Sequence, residues 1–246
     1  MKPFLLLATR AEDVAAADEV SAILRHSGLR PEQLHRVRLE AGPMPEIDLD
    51  DYSGVIVGGS PFNSSDPPEE KSPVQRRVEA ELHALLDEIV DRDFPFLGAC
   101  YGVGTLGSHQ GAVIDGTYGE PVGAVTVELT EAGKEDPLLA GLPDRFEAYV
   151  GHKEAVARLP EHAVLLATSG PCPVQMFRVR ENLYATQFHP ELDHAGLRLR
   201  MTTYAEHGYF GPGELEPILA RAASARLGTA HAILRRFVQR YATAAS

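Results

Sequence analysis

Phe4 to Ala8 is an unbroken apolar run, the pattern of a strand buried on both faces; Val14, Ala17, Ile23 and Leu24 then recur at helical spacing up to Gly28. Val37 and Leu39 alternate with Arg36, Arg38 and Glu40, which predicts a half-exposed strand, and Val55-Ile56-Val57 entering Gly58-Gly59 predicts a short buried one. Ser72, Pro73 and Gln75 have the form of a capping box, after which Val74, Val78, Leu82, Leu85 and Ile89 mark one face of a helix. Phe94 to Ala99 reads as another buried strand. Up to about residue 110, strand and helix alternate, which predicts a parallel sheet covered on both faces.

Beyond Gly111 the rhythm changes to strands separated by turns: Ala124 to Leu129, Phe146 to Val150, Val164 to Ala167, Val174 to Val179 and Leu183 to Phe188. Several connections are too short for a crossover helix, so hairpins are expected. In the last fifty residues Leu215, Ile218, Leu219, Ile233, Leu234, Phe237 and Val238 fall on helical faces, broken by Gly208, Gly211, Pro212 and Gly213. The expected fold is α/β and three-layered: a mostly parallel, flavodoxin-like central sheet, an additional antiparallel β portion and a C-terminal helical tail. The expected division is a catalytic domain over 1–194 and a helical extension over 195–246 packed on it.

Composition narrows the function classes. At 246 residues and 26.7 kDa the chain is one large domain, or one domain with an appendage. Lys and Arg number 23 against 35 Asp and Glu, and a net charge of −12 without a basic cluster argues against nucleic acid as a partner. Two cysteines, Cys100 and Cys172, are too few for a disulfide scaffold and fit a reducing compartment. The apolar start is ended by Thr9, Arg10 and Glu12 too early for a signal peptide, and no run is long enough to span a bilayer, so a cytoplasmic protein is expected.

The candidate chemistry begins at Gly98-Ala99-Cys100-Tyr101-Gly102, where a buried strand runs into Gly-x-Cys-x-Gly, the cysteine analogue of the Gly-x-Ser-x-Gly nucleophile elbow. Small flanking residues allow a sharp strand-to-helix turn, and the helix N-terminus favours thiolate over thiol. The bland alternative is a small buried residue. A sharper rival is Gly102-Val103-Gly104-Thr105-Leu106-Gly107, which matches the dinucleotide fingerprint Gly-x-Gly-x-x-Gly. Against it, such fingerprints lie in the first βα turn, where this chain has Thr9-Arg10-Ala11-Glu12-Asp13, and the acidic residue expected about twenty positions on is only loosely supplied by Asp115 or Glu120. The second constellation is His189-Pro190-Glu191: residues two apart in extended backbone point the same way, so the carboxylate can orient the imidazole. Alone it reads as a surface turn; with a cysteine on an elbow it completes a candidate triad.

Gly-x-Cys-x-Gly after a buried strand, His-Pro-Glu about ninety residues later and the Gly-Gly turn after the third strand together resemble the class I glutamine amidotransferase domain, in the stand-alone form related to the glutaminase portion of GMP synthetase. The resemblance implies that Cys100 attacks the side-chain amide of glutamine to form a γ-glutamyl thioester, that His189 carries the proton to the departing ammonia, and that Glu191 orients His189. It implies an oxyanion hole from the backbone N–H groups of Tyr101 and Gly59, and substrate contacts from Ser60, Gly104 and the turn Gly151, His152 and Lys153. It implies no cofactor, a small-molecule substrate and a separate synthetase chain that accepts the ammonia. One departure stands out: the family has a glutamine four residues after the nucleophile, where this chain has Gly104.

Cys172, in Pro171-Cys172-Pro173, reads as structural, and no histidine spacing of the His-Glu-x-x-His kind suggests a metal. Besides an amidotransferase, two readings stay open: a γ-glutamyl hydrolase or peptidase with the same triad, motivated by Gly104, and a non-catalytic amidotransferase-like regulatory protein.

Overall fold

The computed structural model describes residues 1–207, 210–211 and 213–244, so Gly208 and Pro212, two of the expected breakers, lie outside the described residues. The first half runs β1 (Phe4–Ala8), α1 (Asp13–Ser27), β2 (Leu34–Arg38), β3 (Gly54–Val57), α2 (Pro73–Asp91), β4 (Phe96–Ala99) and α3 (Tyr101–His109). Then come β5 (Val113–Asp115), β6 (Glu120–Leu129), α4 (Glu131–Glu135), β7 (Arg145–His152), β8 (Ala155–Arg158), β9 (Val164–Thr168), β10 (Met176–Val179) and β11 (Leu183–Thr186), followed by α5 (His194–Thr203), α6 (Leu215–Ala222) and α7 (Gly228–Tyr241).

Among the described residues nine strands form one sheet in the order β2-β1-β3-β4-β11-β10-β9-β6-β7, and β5 and β8 pair separately. β2, β1, β3, β4 and β11 run parallel; β10, β9, β6 and β7 extend the sheet antiparallel. This is the expected α/β architecture, with the antiparallel portion joined edgewise to the parallel one. β1 shows why its apolar run is unbroken: Phe4, Leu6 and Ala8 face one core and Leu5 and Leu7 the other. α1 and α7 cover the first face, α2 and α3 the second.

Some local expectations shift. Ser72 caps α2 by accepting from the Gln75 N–H (3.0 Å), but the Gln75 side chain turns away from the cap to donate to the Asn63 carbonyl (2.9 Å) and Glu79 (3.1 Å). Gln75 is therefore buried, and Val74, placed on the buried face by periodicity, is 38% exposed. The second strand is Leu34–Arg38, two to three residues earlier than the alternation implies, and Leu39 continues it with one more bond, to Ala8 O. β5, β8 and α4 have no counterpart in the sequence reading.

Of the helices after residue 194, α7 enters the core that β1 shares with α1, and α5 and α6 pack in a smaller third cluster around Tyr149 of β7. Phe237 of α7 is fully buried, with its ring 6.0 Å from Phe4 and 4.9 Å from Tyr241, and Ile233 and Leu234 sit in the same cluster. Phe237→Ala is predicted to lower unfolding free energy by about 3–5 kcal/mol in urea titrations, the cost of truncating a buried aromatic ring. A loss under about 1 kcal/mol would mean that α7 is not integral to the core.

Candidate active site

Cys100 stands between β4 and α3 with φ 54° and ψ −92°, a strained conformation for a residue with a side chain and the geometry of an elbow. The glycine on the strand side of the elbow is required by contact. A Cβ on Gly98 would lie 2.7 Å from the Gly102 carbonyl carbon, so strand and helix can approach this closely only without side chains. The Cys100 N–H donates to Thr186 O of β11 (2.8 Å), and the Val103 N–H to Cys100 O (2.9 Å), fixing the thiol at the N-terminus of α3.

β11 pairs in parallel with β4, Thr186 opposite Ala99, and the chain continues into the His189 segment. The His189 N–H donates to Tyr149 O of β7 (2.9 Å), which anchors the ring beside Cys100. His189 Nδ1 lies 3.0 Å from Glu191 Oε1, and both side chains are buried. Burial alone would depress the imidazole pKa. The charge on Glu191 and the contact with Cys100, including a hydrogen bond to its sulfur, outweigh that and raise it to about 9. Burial likewise opposes ionisation of Glu191, but His189 and Arg200 overcome it and hold the carboxyl well below the usual carboxylate range.

Arg200, from α5, belongs to no motif in the sequence. Its Nη2 donates to Glu191 Oε1 (2.8 Å) and its Nη1 lies 3.0 Å from His189 Nδ1. That nitrogen thus donates to Glu191 when protonated and can accept from Arg200 when it is not. Arg10, just past the end of β1, is a second buried arginine here, bonded through Nε to Glu19 (3.0 Å). A Cβ on Gly59 would lie 2.8 Å from His189 Cε1 and 2.6 Å from Arg10 Nη2, so glycine is a packing requirement beside the site.

Two pockets meet at Cys100, Ser60 and Gly151. One, of about 270 Å³ with open solvent included, is the more polar of the two and also bordered by Tyr101, Asn63, His152, Lys153 and Glu154; the other, of about 560 Å³ on the same measure, lies on the His189 side. Gly104 borders neither. The space its side chain would need is taken by Ser64 Oγ and by Glu154 Oε1, 2.8 Å from an ideal Cβ. The Glu154 carboxylate accepts from the N–H groups of Ser64 (2.8 Å) and Ser65 (2.7 Å), tying the loop after Gly59 to the turn after β7. Asn63, Glu154, Arg10 and Arg200 have no local motif; only Arg10, following a strand's C-terminal end, stands where ligand-side residues of α/β sheets collect.

A second Cys-His-Glu grouping lies behind the polar pocket, where ligand atoms of Glu120, His152 and Cys172 fall within 4.8 Å of one another. Its polar groups are largely engaged in hydrogen bonds. His152 Nε2 is 2.8 Å from Glu120 Oε2, which also accepts from Gln175 Nε2 (2.6 Å), and His152 Nδ1 is 2.8 Å from Glu154 O. Cys172 is fully buried, and burial pushes its thiol up to about 11. A protonated, enclosed thiol is a poor nucleophile; the network braces the turn that carries Gly151 to Glu154.

Fold and site together define an α/β protein with a cysteine elbow at the C-terminal edge of a parallel sheet, facing an imidazole and a carboxylate. The model of the family Glutamine amidotransferase class-I matches residues 18–204, and the chain belongs to that family. It is 28% identical over 172 residues to a subunit of the glutamine-hydrolyzing GMP synthase of Methanoregula boonei, covering 70% of this chain and 83% of that one. With the corresponding GMP synthase subunit of Methanoculleus marisnigri it shares 32% identity over 142 residues, 57% of this chain and 66% of that one. A solved glutamine amidotransferase from Thermotoga maritima superposes with a TM-score of 0.78 at 23% identity over 99% of this chain and all of that one, which shows a shared fold that includes the C-terminal helices. Among the described residues no helix is long and apolar enough to cross a membrane.

The buried imidazole has a stability signature. Its folded pKa of about 9 lies above the unfolded value of 6.5, so its contribution is complete below pH 6.5 and is lost as pH rises through 9. The urea midpoint of the wild type is predicted to fall between about pH 6.5 and pH 9.5, and His189→Gln to show a smaller fall; equal slopes would contradict the assigned pKa.

Proposed function

We propose that the protein hydrolyses the side-chain amide of glutamine, with Cys100 as nucleophile, His189 as proton carrier and Glu191 as the group that orients it. The observation that carries this reading is the buried His189, 3.0 Å from Glu191 through Nδ1 and beside Cys100, with both neighbours raising the imidazole pKa, an arrangement suited to pairing a thiolate with an imidazolium. The thiolate attacks the amide carbon. The backbone N–H groups of Gly59 and Tyr101 receive the charge on the carbonyl oxygen, and His189 delivers its proton to the nitrogen as ammonia leaves. Water then cleaves the γ-glutamyl thioester.

The polar pocket would take the amino-acid end of the substrate, with Ser60 and the backbone of Gly151, His152 and Lys153 as contacts. Gly104 lies outside it, and the loop tied to Glu154, with Asn63, replaces the side chain that the family carries there. The relatives named as GMP synthase subunits support an acceptor on a separate synthetase chain. A γ-glutamyl hydrolase with the same triad is favoured by one observation, the large pocket on the His189 side.

Cys100→Ala is predicted to reduce ammonia release from glutamine at least about a thousandfold while leaving circular dichroism and the urea midpoint near wild type. Ammonia release that survives the substitution would contradict the mechanism.

A further inference from the structure

The two pockets meet at the Cys100 thiol. Cys100, Ser60 and Gly151 border both, but His189 borders only the larger one. With His189 protonating the departing nitrogen, that nitrogen leaves into the larger pocket, while the γ-glutamyl group occupies the polar one. Ammonia is a single heavy atom and needs no such space. The larger pocket is a half-open cleft of about 560 Å³ with its open solvent included, and its walls are mostly apolar: Val122 and Val150 from the antiparallel strands, Leu192, Leu197 and Met201 around α5, and Phe210 beyond it. The charged side chains at its inner end are already paired, Arg10 with Glu19 and Arg200 with Glu191. An apolar group entering it gains burial without stripping water from an unpaired charge.

We propose that this pocket is a leaving-group subsite and that the preferred substrate is a γ-glutamyl amide of a primary amine bearing a branched apolar group. The proposal rests on the assignment of Cys100 and His189. The thiolate sulfur bonds to the γ-carbonyl carbon and the C–N bond breaks. The amine leaves with the proton that His189 took from the thiol. Water then adds to the thioester, its proton returns through His189 to the sulfur, and the products are glutamate and the free amine. The amine could come from an amino acid or from a plain alkylamine; both present the same apolar group.

The test compares kcat/KM of the full chain for glutamine, γ-glutamyl-leucine and γ-glutamyl-3-methylbutylamide, the last two differing only in the carboxylate. At least one substituted amide is expected to exceed glutamine roughly tenfold, the scale of discrimination an apolar pocket supplies for a few carbon atoms. The arm that leads identifies the amine's source. Values at or below that of glutamine for both would overturn the subsite and leave the glutaminase reading standing; no turnover of any of the three would instead overturn the triad assignment. Val122→Trp, at the half-buried rim, and Met201→Phe, inside, each narrow the pocket and are expected to lower the ratio of substituted amide to glutamine about tenfold. An unchanged ratio in whichever variant folds would overturn the placement.

Discussion

The site depends on one parallel pairing, β4 against β11. Their C-terminal ends align Ala99 with Thr186, and the Cys100 N–H is bonded to Thr186 O at 2.8 Å. That single hydrogen bond joins the elbow to the strand that leads to the histidine, some ninety residues later in the chain. Between β4 and β11 the chain builds β5 to β10, yet none of these strands comes between the two. The four that join the main sheet lie beyond β11, and β5 pairs with β8 apart from it. The insertion can therefore form pocket walls without disturbing the register that sets the thiol beside the imidazole. Gly98 serves the same constraint, since a side chain on it would push strand and helix apart at the elbow.

Electrostatics then make the arrangement chemical. Burying an imidazole and a carboxylate costs solvation, which is recovered when the two are paired and bonded in a dry site. Here Glu191 accepts from Arg200 as well as from His189, so its charge is supported from two sides. Because Arg200 sits on α5, the C-terminal helices contribute to the site as well as to the core. Tyr204, following α5, ties the same region to the end of β1: its hydroxyl donates to Glu12 (2.8 Å), and its ring lies 5.5 Å from the Arg10 guanidinium.

What could be read from the sequence follows from how local each signal is. The elbow, His-Pro-Glu and the apolar run of β1 are carried by consecutive residues under a backbone constraint, and each occupies its expected place. Val74 and Gln75 exchange places because a hydrogen bond to a distant loop outweighs helical periodicity in the first turn of α2. β5 and β8 escape notice because three or four residues carry too little pattern. Arg10, Glu154 and Arg200 are illegible for another reason: each acts on residues far off in sequence, and a lone arginine or glutamate has no spacing to betray it. Gly104 is the instructive case. Its substitution for glutamine is visible, but its meaning emerges only with Ser64 and Glu154 filling the space.

The central claim, that Cys100 is an activated thiol aimed at a γ-glutamyl carbonyl while Cys172 is an enclosed one, has a direct measurement. Intact-mass analysis with peptide mapping after exposure to a glutamine-derived chloroketone is predicted to show a single adduct on Cys100, with Cys172 unmodified in the folded protein. No adduct, or one carried by Cys172, would contradict the account.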